Sequence, residues 1–89
     1  MKEKNESVAC AVEKLADIEH SRWSKWQKYL HEQCIKNDDG SLTIPHELVI
    51  KWQKQMTTPY AELTEKEKKS DRDLVIEDLD KLRDIVKLL

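Results

Sequence analysis

Val75, Leu79, Leu82, Val86 and Leu89 recur at intervals of four, three, four and three residues, and this seam constrains the fold more than any other feature. Such spacing holds apolar side chains on one side of an α-helix, and that side needs a cover. Leu74, Ile85 and Leu88 widen it. A second stripe lies in the first third of the chain, where Val8, Val12, Leu15, Trp23, Trp26 and Leu30 follow at steps of four and three with one gap. At about 100° per residue these six share a narrow arc. The position that would fill the gap is Glu19, and His20 stands on the margin.

Two amphipathic stripes predict two long helices. The first should run from about Glu6 to about Cys34, ended by "KNDDGSL", where Gly40 suits positive φ. A shorter helix is expected in "IPHELVIKWQKQM", with Pro45 in its first turn and Leu48, Val49, Trp52 and Met56 on one face. "TTPYAEL" reads as an extended connector, because Thr58 precedes a proline. Thr64 and Glu67 form a T-x-x-E capping box, from which a third helix should continue to the C-terminus. One Gly and two Pro in 89 residues agree with helices rather than a turn-rich β fold. The expected architecture is all-α, a small bundle of three main helices with an irregular connector, forming one domain over residues 1–89.

Charge and composition narrow the function classes. A net charge of −2 supplies no broad basic footprint, and "EKEKKSDR" interleaves acids with its bases, so nucleic acid is not an expected partner. No apolar run approaches the ~18 residues of a membrane span. "MKEKNESVAC" lacks the apolar core of a signal peptide, and Cys10 and Cys34 lie many turns apart on the first helix. A cytoplasmic setting with free thiols is expected. His31 and Cys34 stand at i and i+3, with Cys10 and His46 as possible additions, but zinc sites normally have two close pairs. No metal and no cofactor are expected.

Helical geometry places ionisable residues among the apolar ones of the third helix too. Asp71 falls near the centre of the extended seam, Lys68 beside it and Arg72 at its edge. If the first and third helices pack antiparallel, Glu19 could meet Lys68, Asp71 and Arg72, with His20 and Tyr60 closing the network. Arg72 can grip a carboxylate through two parallel hydrogen bonds. Two readings stand open: a structural polar cluster that fixes helix register, or the lining of a cavity. In a cavity, Trp23 and Tyr60 would offer flat faces to a planar ring, and Arg72 and Lys68 would offer charge to phosphate. Trp26, deeper in the stripe, reads as core. Trp52 reads as core of the second helix or as an exposed anchor.

"LADIEHSRW" followed by "PYAELTEKEKKSDR" resembles the RyR domain, the module repeated in ryanodine receptors and found alone or fused in bacteria and phages. The matching positions are His20 and Trp23, then Pro59, Tyr60, Leu63, Glu67, Lys68, Asp71 and Arg72, and the likeness covers roughly residues 12–78. Many members carry a Gly-Trp-Tyr-Gly type loop after the first helix. Here that region is "EQCIKNDDGSLTIPHELVIKWQKQM", similar to shorter members that place an extra helix there. The resemblance implies a mostly helical domain without catalysis that binds a nucleotide-derived signal, of cyclic-nucleotide or ADP-ribose type, for sensing or sequestration. A phage sponge for a host defence signal is one form.

The expected ligand-binding residues are therefore Glu19, His20, Trp23, Tyr60, Lys68, Asp71 and Arg72. Glu19, His20 and Asp71 could in principle perform acid–base chemistry, but no Gly-rich phosphate loop, nucleophile motif or His-Glu-x-x-His helix accompanies them, so no enzyme is expected. The alternative is a structural or protein-interaction module that self-associates through its C-terminal helix. A homo-oligomer is expected in either case.

Overall fold

The computed structural model describes residues 2–89, with side chains from Glu6 onward. Helices make up 75% of it. Helix α1 (Lys2–Gln33) has 32 residues. At about 1.5 Å per residue it is ~48 Å long and accounts for the longest dimension of a molecule measuring 54 × 35 × 20 Å. No helix among the described residues is long and apolar enough to cross a membrane.

The stretch after α1 departs from the all-α expectation. It holds a short antiparallel hairpin of β1 (Ile35–Lys36) and β2 (Leu42–Thr43), with Ile35 opposite Thr43 and Lys36 opposite Leu42. Turn chemistry explains it. Gly40 adopts φ 88°, which a side chain would resist. Asn37 Nδ2 donates to Ser41 Oγ and to Thr43 Oγ1, each at 2.9 Å. Asp39 accepts from the Ser41 hydroxyl and amide, and these bonds, the hydroxyl first, hold its carboxyl below the usual range.

Helix α2 (His46–Met56) follows Pro45, which stands just outside the helix rather than in its first turn; its carbonyl accepts from Leu48 N and Val49 N. After the Thr57 cap, the "TTPYAEL" connector makes a single 3-10 turn over Tyr60–Glu62. The capping box forms as expected. Glu67 N donates to Thr64 Oγ1 at 3.2 Å, and Thr64 N donates to Glu67 Oε1 at 3.0 Å, opening α3 (Glu65–Glu77).

The expected single C-terminal helix is broken. Asp78, at φ −101° and ψ 7°, separates α3 from α4 (Leu79–Val86). No Gly or Pro lies there. Instead the Asp78 carboxylate accepts a hydrogen bond from Arg22 Nε of α1 at 3.3 Å and forms an ion pair with Arg22 Nη2 at the same distance. Asp is a weak helix former, and this long-range pair rewards a backbone that bends toward α1. Lys25 pairs with Glu77 one turn further along α1. The two pairs hold the end of α3 beside α1, and from there α4 runs back along α1, bringing Ile85 to Ala11 and Ile18. At the other end, Trp52 of α2 meets Trp26 edge-on, ring centroids 5.4 Å apart; Trp52 is half-buried.

The core is not where the strict stripes would put it. Ala11, Ile18 and Ile85 are buried, with Leu82 and Leu88 against them. By helical spacing, Ala11 and Ile18 lie about 90° around α1 from the middle of the expected stripe. Accordingly Val8, Val12, Leu15, Trp23 and Trp26 are exposed. The C-terminal helices are turned in the same sense. Leu74, Asp78, Ile85 and Leu88 are half-buried or buried, while Val75, Leu79, Val86 and Leu89 of the seam are exposed. The small side chain of Ala11 lets α4 approach closely, and Ile85 fills the space beside it.

With Ile85 at the centre of this small core, Ile85→Ala should destabilise the fold by about 3 kcal/mol. Urea unfolding followed by circular dichroism measures it. A loss under about 0.5 kcal/mol, the level of an ordinary surface change, contradicts the assignment.

Candidate functional site

Three of the expected residues come together on one surface. Pro59 and the 3-10 turn carry Tyr60 against the first two turns of α3, where Lys68 and Arg72 occupy neighbouring positions one turn apart. Arg72 Nε donates to Tyr60 Oη at 3.1 Å, and Lys68 Nζ stands 5.8 Å from the phenol centroid. A fourth residue completes the group. Glu65 accepts from both terminal nitrogens of Arg72 at 3.3–3.4 Å and lies 3.8 Å from Lys68 Nζ. The Lys68 side chain keeps 19% of its surface and the Glu65 side chain 79%. The hydrogen bond from Arg72 to Tyr60, and then Glu65, raise the guanidinium's pKa and hold it charged.

The remaining expected residues do not join this group. His20 and Trp23 stack on each other along α1, centroids 6.0 Å apart and planes 20° from parallel. Ser24 Oγ lies 3.4 Å from His20 Nε2. Helix α1 packs chiefly on α4, and Lys25–Glu77 ties it to the C-terminal end of α3, away from Lys68 and Arg72. Glu19 is exposed at the rim of a shallow groove with Val12, Leu15, Arg22 and Leu82. Asp71 is exposed and makes no ion pair or side-chain hydrogen bond among the described residues.

The expectation of an ionic cluster enclosed between the first and third helices is thus corrected. The helix that packs on α1 is α4, and Lys68 and Arg72, at the start of α3, do not face Glu19. The Tyr60 group lies on an open surface, and the half-buried charge pair between the helices is Arg22–Asp78 instead. Glu65 was legible in part, since it shares a face with Lys68 and Arg72 at spacings of three and seven. Arg22 and Asp78 carried no local signal, because their meeting depends on a register set by the whole fold.

Behind the group, the Glu67 carboxylate is held below its usual range by the Thr64 amide, then by the Thr64 hydroxyl and Gln55 of α2. A carboxyl with a depressed native pKa stabilises the fold above its unfolded value of 4.5 and loses that contribution as pH falls through the native value. Wild-type protein should therefore lose stability on acidification below about pH 5, and Glu67→Gln should lose measurably less over the same interval. Thermal melts at stepped pH values test this; identical acid dependence in the two proteins contradicts it.

The described residues contain no group of three or more His, Cys, Asp or Glu side chains placed to hold a metal ion, and Cys10 and Cys34 are free thiols. No family model, curated protein or solved structure matches the chain.

Proposed function

We propose that this chain is a non-catalytic module that binds a small nucleotide-derived ligand at the surface formed by Tyr60, Lys68 and Arg72, to sense or to sequester it. One observation carries the reading: a half-exposed phenol ring has an ammonium near its face and a guanidinium on its hydroxyl. A planar base stacks on such a ring, and phosphate oxygens accept from both cations. Glu65 fills the anion position in the free protein. Its carboxylate is solvent-exposed, and exposed pairs of this kind contribute only about 0–1 kcal/mol, so a multiply charged phosphate displaces it at small cost. Asp71, on the adjoining flank of α3, is the acceptor for ribose hydroxyls in this reading. The motif resemblance to the RyR domain points to the same ligand class, cyclic nucleotides or ADP-ribose derivatives. Glu19, His20 and Trp23 stand outside the site.

A second reading makes the group purely structural, within a module that works through protein contacts. It is favoured by the Arg72–Tyr60 hydrogen bond, which ties the 3-10 turn to α3, and by Glu65 already neutralising both cations.

A thermal-shift screen of cyclic nucleotides, dinucleotides and ADP-ribose derivatives finds the ligand, because a compound that binds only the folded form raises the melting temperature. Arg72→Ala should then weaken binding at least about tenfold, 1.4 kcal/mol, with an unchanged circular dichroism spectrum. Glu65→Gln should strengthen it. Unchanged affinity in a folded Arg72→Ala protein, or a screen without a single stabilising compound, contradicts the binding reading. Destabilisation by Arg72→Ala without any ligand effect supports the structural one.

A further inference from the structure

We infer that a second copy of this chain covers the apolar face made jointly by the α1 stripe and the α4 seam, as a symmetric homodimer. The two stripes turn outward on the same side. Val12 and Leu15 of α1 share a groove with Leu82 of α4, and Leu79 and Val86 flank Leu82 on its own helix face at spacings of three and four. Exposure is high along the whole surface: Val12 keeps 56%, Leu79 46% and Val86 66%. The groove on the opposite side of α4 has Cys10, Ile18 and Ile85 at its base but carries more charge around it, from Glu13, Lys14, Asp17, Lys81 and Asp84.

Area decides what covers the apolar one. The chain exposes 7567 Å², whereas a folded monomer of 10.6 kDa exposes about 5,500 Å². The excess is about 2,000 Å² per chain, hence ~4,000 Å² for two, within the ~2,000–5,000 Å² of obligate homodimers. The radius of gyration agrees, at 17.6 Å against about 12 Å for a compact chain of this length. A two-fold axis sets the same patch of each copy against the other, seam to seam.

Sedimentation equilibrium of the full chain should give twice the 10.6 kDa chain mass. Val86→Asp should halve it, while Lys81→Asp, on the charged side of α4, should not change it. Hydroxyl-radical footprinting of the wild type locates the face even if Val86→Asp does not fold. Val12, Leu15 and Val86 should be protected at high protein concentration and reactive on dilution, with Met56 reactive throughout. A folded wild-type monomer at every concentration, an assembly that Val86→Asp leaves intact, or a footprint that spares these residues overturns the inference.

Discussion

Ile85 sits against Ala11 and Ile18, and the seating of α4 on α1 follows from that contact. Alanine at position 11 leaves room for α4 to lie close, and Ile85 with Leu82 and Leu88 fills the room. Seating these residues turns both helices by roughly a quarter of a revolution from the orientation their strict seams would prefer. The ion pair of Arg22 with Asp78 accompanies the turn, since it stands at the bend where α3 gives way to α4. Little apolar surface is buried this way. In an elongated chain with a small core and two outward seams, covering those seams would add stabilisation at about 25 cal/mol per Å² of apolar area.

The same register governs the candidate site. Because α1 packs on α4, the start of α3 does not meet the middle of α1, and the conspicuous charges of the two helices stay apart. Lys68 and Arg72 therefore find local partners, Tyr60 from the preceding turn and Glu65 from the first turn of their own helix. Tyr60, Lys68, Glu65 and Arg72 are all contributed by a run of thirteen residues, so this surface can form without the distant parts of the fold. Behind it, the Thr64–Glu67 capping box and Gln55 of α2 hold the helix start in place.

Much of the local structure was legible from the residues. The extent of α1, the position of α2 and the capping box all follow from spacing and end chemistry, which act over a few residues. The hairpin after α1 was hidden, because "KNDDGSL" reads equally as a loop until Asn37 and Asp39 are seen to organise it. The break at Asp78 was hidden for a different reason: its cause, Arg22, is 56 residues away. Stripe geometry identified which residues seek cover but not what covers them. The widening positions Leu74, Ile85 and Leu88 turned inward, while the regular positions Val75, Leu79, Val86 and Leu89 stayed outside. A single chain cannot distinguish these choices from spacing alone, since both lines of residues lie on adjoining sides of one helix. The neighbouring placement of Lys68 and Arg72 follows from α3 periodicity; the approach of Tyr60 depends on the 3-10 turn, and the exclusion of Glu19, His20 and Trp23 on the wider fold.

If the outward seams are covered by another copy, folding and association are one equilibrium, and stability depends on protein concentration. The most direct measurement is the melting temperature of the wild type over a hundredfold range of concentration. Coupled folding and dimerisation predicts a rise of roughly 5–10 °C across that range. A melting temperature that stays constant, with a cooperative transition at each concentration, would contradict it.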